Sequence, residues 1–119
     1  MNKDKSFLHR LRANSVARAK EDFKTYDGVG LLYFSTALAG ELGELCNLIK
    51  KLERHSNGGP DVGNSIKVQD ITKEKLAEEI GGGFIYLDLV AAKLGIDLEP
   101  AVTDTFNAVS NKIGSGYRL

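Results

Sequence analysis

The sequence has no tryptophan, two prolines and a single cysteine among its 119 residues, and its charges cancel. One cysteine, Cys46, cannot form an internal disulfide, and its place in an apolar helical run predicts a small core residue in a reducing compartment. Basic and acidic residues number 16 each, so the chain has no general attraction for nucleic acid or for anionic membrane. We therefore expect no nucleic acid polymer among its partners.

Long apolar runs and strand-like alternation are also missing. No stretch approaches the roughly 18 apolar residues of a membrane-spanning helix, and no apolar signal core follows the charged N-terminus. We expect a cytoplasmic protein without a membrane partner. Since no segment of useful length alternates apolar and polar residues, the predicted fold class is all-α.

What is present is apolar periodicity at helical spacing, which predicts one domain over residues 1–119 with four helices. The N-terminal helix and its turn occupy residues 1–29, and a loop rich in Gly, Ser, Asn and Asp covers residues 56–70. The short C-terminal tail that follows is expected to be disordered. The predicted helices span approximately residues 6–23, 31–54, 72–94 and 97–113.

The second and third helices are apolar over most of their circumference. A helix of this kind needs burial on more than one side, and four helices in so short a chain do not easily supply it. We therefore predict a four-helix protomer that completes its bundle by oligomerisation, as a homodimer or a homotetramer.

Two pairs of glutamates interrupt these apolar helices. Glu41 and Glu44 are three residues apart and share a helix face, and Glu78 and Glu79 lie on the third helix. Because like charges among apolar neighbours repel, a cation is the simplest way to stabilise them. Mg²⁺ fits, since it prefers carboxylate oxygens and leaves positions for substrate phosphates.

These segments resemble a known family. Residues 37–52, with the order Gly40-Glu41-Leu42-Gly43-Glu44-Leu45, look like the first motif of the MazG-like all-α nucleoside triphosphate pyrophosphohydrolases. Residues 76–89 resemble the second motif, and Gly95-Ile96-Asp97-Leu98 and residues 106–110 are also similar. The resemblance covers approximately residues 30–119.

The resemblance implies Mg²⁺-dependent hydrolysis of nucleoside and deoxynucleoside triphosphates to monophosphate and pyrophosphate, in a house-cleaning role. The family carries ExxE followed by ExxD, whose four carboxylates bind the metal. Glu41, Glu44 and Glu79 match three of these ligands, and Glu41 or Glu44 would accept the proton of the attacking water. Gly82 stands where the family has the fourth acid.

Three replacements for the missing acid can be considered. Asp88 lies on the opposite side of the helix from Glu79 and is a poor substitute. Glu78 would approach only if the glycine triplet Gly81–Gly83 distorted the helix. A water molecule could complete the coordination instead.

Four further residues are candidates for binding substrate. Asn47 and Lys51 lie near the face of Glu44 and could contact phosphate. Lys51 could equally complement the end of the helix dipole, and for Lys50 that role is favoured. Tyr86 shares the face of Glu79 and is either a stacking platform for the nucleotide or a core tyrosine. Asn107 matches a polar position near the family's substrate pocket.

Three hypotheses about function follow. The first is the pyrophosphohydrolase. The second is a catalytically impaired relative that binds nucleotide or simply assembles as a helical oligomer, which Gly82 favours. The third is a helical adaptor unrelated to nucleotides, for which Mg²⁺ plus nucleotide would give no stabilisation.

Overall fold

The computed structural model describes residues 6–59 and 67–119. Across these residues the secondary structure is helical and contains no strand, which confirms the predicted all-α class with four helices. The predicted loop at 56–70 lies partly outside the described residues. The elements are α1 (Phe7–Glu21), α2 (Leu31–Ser56), a 3-10 turn (Val68–Asp70), α3 (Lys73–Lys93) and α4 (Leu98–Ile113).

The helix ends follow from local sequence. The side chains of Ser6, Thr72 and Asp97 precede α1, α3 and α4, and each accepts a hydrogen bond from a backbone N–H in the turn that follows. Gly95 adopts a φ of +69° just after α3, a left-handed conformation in which a side chain would be strained. The predicted boundaries of α3 and α4 are therefore close to those observed.

The described chain forms two compact units. The first contains the residues up to Leu31 together with Asp88–Leu119. In it the guanidinium of Arg12 donates to Asp88 Oδ1 at 3.0 Å and to the carbonyl of Ile96 at 2.8 Å. Asp88 is only 1% exposed, so this charged pair ties α1 firmly to the end of α3.

The C-terminal tail is ordered by hydrogen bonds to α4, so the expectation of a disordered tail is wrong. The N–H of Leu119 donates to Asn107 Oδ1 at 2.9 Å. The guanidinium of Arg118 donates to Asn111 Oδ1 on α4, and within the tail it donates to the carbonyl of Ser115 at 2.8 Å. Side-chain donors and acceptors in α4 thus satisfy backbone groups that would otherwise face water.

The second unit, Leu32–Leu87, contains most of α2 and the first four turns of α3. The inward side of α2 carries the buried residues Phe34, Leu48 and Lys51. Helix α3 continues without interruption through Gly81–Gly83, although three glycines lower helix propensity by about 1 kcal/mol each relative to alanine. In neither described segment is any helix long and apolar enough to cross a membrane.

Candidate metal centre

Three carboxylates from two helices converge in the second unit. Glu41 and Glu44 project from α2 and Glu79 from α3, and one ligand oxygen of each lies within 4.8 Å of the others. Oxygens bound to one Mg²⁺ at about 2.1 Å are roughly 3–4 Å apart, so small side-chain rotations would close the set. The three residues predicted as metal ligands are thus brought together.

The three side chains differ sharply in exposure. Glu44 is exposed and Glu41 is half-buried, whereas Glu79 is only 6% exposed. One oxygen of Glu79, Oε1, lies 3.5 Å from the Lys75 ammonium one turn earlier. The other, Oε2, is buried and has no hydrogen-bond partner among the described residues. Burying a carboxylate oxygen without a hydrogen-bond donor costs free energy, and a bound cation would offset that cost.

The carboxylates perturb one another electrostatically. The pKa of Glu41 and the pKa of Glu44 are both raised, chiefly through a side-chain hydrogen bond that each shares with Glu79. The pKa of Glu79 is lowered, first by the hydrogen bond from Glu41 and further by Glu44 and Lys75, against the effect of its own burial. Two carboxyl groups can hydrogen-bond only when one holds a proton. On acidification without a cation, Glu41 or Glu44 should therefore take up a proton before Glu79 does.

This donor set fits a hard divalent cation. All the candidate ligand atoms are carboxylate oxygens, the type that Mg²⁺ prefers. When ionised, the three carboxylates carry three negative charges, against one positive charge on the neighbouring Lys75. Oε2 of Glu79 adds a buried lone pair that has no hydrogen-bond partner among the described residues. A divalent ion bound by Glu41, Glu44 and Glu79 would satisfy this oxygen and remove the repulsion.

The space beside Gly82 is taken by Glu41. A Cβ atom built on Gly82 would lie 2.9 Å from Glu41 Oε2 and 3.2 Å from Glu41 Cδ. The other candidates for a replacement acid lie elsewhere: Glu78 is exposed and outside the cluster, and Asp88 is paired with Arg12. The helix is not distorted at the glycines, so the route considered for Glu78 is not used.

A shallow groove of about 560 Å³, widely open to solvent and lined by α2 alone, lies beside the cluster. Gly40 and Gly43 are among its lining residues, and a Cβ atom on either would meet nothing within 4 Å, so the backbone is accessible there. The residues with functional side chains that line it are Glu44, Cys46, Asn47 and Lys50.

Cys46 is exposed in this groove, so its prediction as a core residue is wrong. The buried residues of α2 are Phe34, Leu48 and Lys51, and Cys46 lies outside the face that they define. Because α2 is apolar around most of its circumference, its sequence does not show which face is buried and which is open to solvent.

The predicted substrate-binding residues fall in different places. Asn47 lines the groove, whereas Lys51 is 7% exposed and belongs to the buried face of α2. Tyr86 is half-buried on α3, about 10 Å along the helix axis from Glu79. Asn107 belongs to the first unit, where its amide binds the backbone of Leu119.

Lys50 is a functional candidate that the sequence ranks too low. Its place near the end of α2 favours a role in complementing the helix dipole, yet it lines the groove with Asn47 and Glu44. The spacing held a signal, since Lys50 follows Asn47 by three residues and Cys46 by four, which places all three on one face.

Comparison with known proteins adds no relative. No protein family, no curated protein and no solved structure matches the chain. The resemblance to MazG-like enzymes stays a prediction, and the functional argument depends on the residues of the cluster and the groove.

Proposed function

We propose that the protein is a Mg²⁺-dependent pyrophosphohydrolase that converts nucleoside or deoxynucleoside triphosphates to monophosphate and pyrophosphate, in a house-cleaning role like that of the MazG-like family it resembles. One observation carries the proposal. Glu41, Glu44 and Glu79 place oxygens within 4.8 Å of one another, and the buried Oε2 of Glu79 has no described partner. Such a set favours a hard cation that also binds phosphate oxygens.

The reaction joins a water oxygen to the α-phosphorus and breaks its bond to the oxygen that bridges to the β-phosphate. Pyrophosphate leaves, and the proton of the water passes to a carboxylate. Glu44 is suited to accept it because it is exposed and lines the groove, and Glu41 is the alternative. Glu41, Glu44 and Glu79 would hold Mg²⁺, which would neutralise charge on the phosphate oxygens.

The groove on α2 supplies contacts for the rest of the substrate. Lys50 offers an ammonium and Asn47 an amide beside Glu44, which suits the phosphate chain of a nucleotide. Gly40 and Gly43 leave room for the ligand to approach the helix backbone. Tyr86 remains a candidate for contact with the base or sugar, although it does not line this groove.

The proposal includes self-association in the cytoplasm, as a homodimer or a homotetramer. Its support is the apolar surface that a single chain leaves in water. Ile80, Phe84 and Leu87 follow one another at helical spacing on α3 and are 57%, 40% and 40% exposed. Packing this stripe against a second copy would bury it.

The decisive test measures pyrophosphate and monophosphate released from a panel of dNTPs with Mg²⁺. Glu44→Gln removes a metal ligand and a proton acceptor, so we expect its rate to fall by at least about a hundredfold. Glu53→Gln, on an exposed residue of α2 outside the cluster, is the matched control and should retain the wild-type rate. Release of diphosphate and inorganic phosphate instead would contradict attack at the α-phosphorus.

A second candidate function is nucleotide binding with impaired catalysis, and the observation that favours it is Gly82 in place of an acid. A large gain in rate in Gly82→Asp would show that the native site is crippled, and only a gain is informative, because a Cβ at this position also meets Glu41. If the protein is a helical adaptor, Mg²⁺ with a non-hydrolysable nucleotide should leave its melting temperature unchanged.

A further inference from the structure

We infer that Gly82 is a positioning residue for the metal centre: by lacking a Cβ atom, it lets the Glu41 carboxylate lie against α3 and join Glu44 and Glu79 as a three-carboxylate site. This inference rests on the proposed metal centre and deepens it. Gly82 stands where the MazG-like family has a fourth metal-binding acid. The inference gives this glycine a role in the metal centre, whereas the absence of the acid alone would indicate only an impaired site.

The close approach is specific to this glycine. A Cβ on Gly82 would meet Glu41 Oε2 at 2.9 Å, a separation that real Cβ atoms essentially never show. The obstructing atoms belong to the end of a flexible side chain, so an added methyl group would displace the carboxylate rather than prevent folding. The displaced group is one of the three that form the cluster.

The two neighbouring glycines provide internal comparisons. A Cβ on Gly81 would meet nothing within 4 Å, and one on Gly83 would make an ordinary contact with Leu42 at 3.6 Å. All three positions lie within the same continuous helix and share the same low helix propensity. Only the middle one is in contact with a carboxylate of the cluster.

A second, independent observation supports a ligand at the cluster: the burial of Glu79 and its unsatisfied oxygen. Glu79 is only 6% exposed, and its Oε2 has no hydrogen-bond partner among the described residues. The Glu41 carboxylate beside Gly82 cannot satisfy this oxygen when both are ionised, because neither has a hydrogen to donate. A cation between them would bind both.

Calorimetric titration of Mn²⁺ and Mg²⁺ into the metal-free protein tests the inference without measuring turnover. We expect Gly82→Ala to weaken binding on the order of tenfold, as changes to residues that orient metal ligands do. Gly81→Ala should bind metal as the wild type does. Both variants gain helix propensity, so a general effect of replacing glycine by alanine would appear in both.

A double-mutant cycle on thermal unfolding in EDTA provides a readout independent of metal. In the wild-type background, Gly82→Ala and Gly81→Ala should change the melting temperature by different amounts, because only Gly82→Ala displaces Glu41 from the cluster. In a Glu41→Ala background the two alanine substitutions should give equal gains, since no carboxylate remains to be moved.

The outcomes separate the inference from the proposed function. If the wild type binds neither cation, the metal centre and the inference both fail. If the wild type binds and Gly82→Ala binds equally well, the role of Gly82 is wrong while the metal centre stands. A difference between the two alanine variants that persists without Glu41 would also overturn the inference.

Discussion

Glu79 combines deep burial with a carboxylate oxygen that no described residue satisfies. Its partners in the cluster are more exposed, and Lys75 supplies only one positive charge against three carboxylates. Groups so arranged destabilise the fold unless a cation or a proton is present. Functional sites commonly hold such unfavourable arrangements, which makes this cluster a better candidate than a solvated acidic surface.

The pH dependence of stability should reveal the repulsion. Because the pKa values of Glu41 and Glu44 lie above the ordinary 4.5, their contribution to stability is complete below that pH and is lost as pH rises through the raised values. The pKa of Glu79 is lowered, so its contribution to stability has the opposite pH dependence: it is present above pH 4.5 and is lost as pH falls through the lowered value. In EDTA, Glu44→Gln should therefore raise the melting temperature by a few degrees at neutral pH, and this gain should shrink as pH approaches 4.5.

Thermal unfolding at a series of pH values, with and without Mg²⁺, checks this prediction. With saturating Mg²⁺ the sign should reverse, because the variant has lost a ligand and gains less from the cation. Glu53→Gln serves as the control on the same helix. A Glu44→Gln variant less stable than the wild type in EDTA at neutral pH would contradict the repulsion.

Helix α2 carries two functions on two of its faces. Glu41 and Glu44 share one face with the buried residues Phe34, Leu48 and Lys51, whereas Cys46 lies on the open face. The groove and the carboxylate pair share Glu44, so a ligand in the groove would touch the metal centre. A phosphate chain bound there would be held by elements of one rigid helix, which favours accurate placement.

Lys50→Ala should weaken nucleotide binding by about tenfold, the order expected for one charge-assisted hydrogen bond. Cys46, the single thiol of the chain, reports on occupancy because it lines the same groove. Its alkylation should slow severalfold when Mg²⁺ and a non-hydrolysable nucleotide are added, and Lys50→Ala should require more nucleotide for the same protection. Lys73→Ala, at the start of α3, should behave as the wild type, and equal protection in both variants would exclude Lys50 from the site.

The helices were predictable because their signals are local. Ser6, Thr72 and Asp97 cap helices through bonds within three residues, and the apolar periodicity between them needs no tertiary information. The cluster of Glu41, Glu44 and Glu79 was suggested by an i, i+3 pair and a family resemblance, while its geometry required α2 and α3 to be packed.

What the sequence left undetermined depends on contacts between distant residues. Lys50 and Lys51 are adjacent and chemically alike, yet one lines the groove and the other is buried. An amphipathic pattern does not fix which of two adjacent positions is inward on a helix that is apolar nearly all round. The ordering of Arg118 likewise depends on α4 side chains that the tail reaches only in the folded chain.

The molecule as a single chain buries little apolar surface. Among the described residues, the buried hydrophobic side chains are Ala19, Phe34, Leu48, Ile71, Leu89 and Ala91. Many larger ones are exposed to water. In the second unit they include stripes on α2, at Leu42 and Ile49, and on α3, at Ile80, Phe84 and Leu87. Monomeric proteins rarely expose contiguous apolar patches of this kind, so the chain is better suited to an assembly.

We expect the wild-type protein to sediment at twice or four times the mass of the chain. Phe84→Lys places a charge in the middle of the α3 stripe, and burying that charge would be strongly unfavourable, so the variant should sediment as a single chain. Glu74→Lys introduces the same side chain at an exposed position in the first turn of α3 and should leave the assembly intact. Sedimentation velocity at several concentrations measures both, and a wild type that remains at the mass of one chain throughout would show that the apolar stripe has another role.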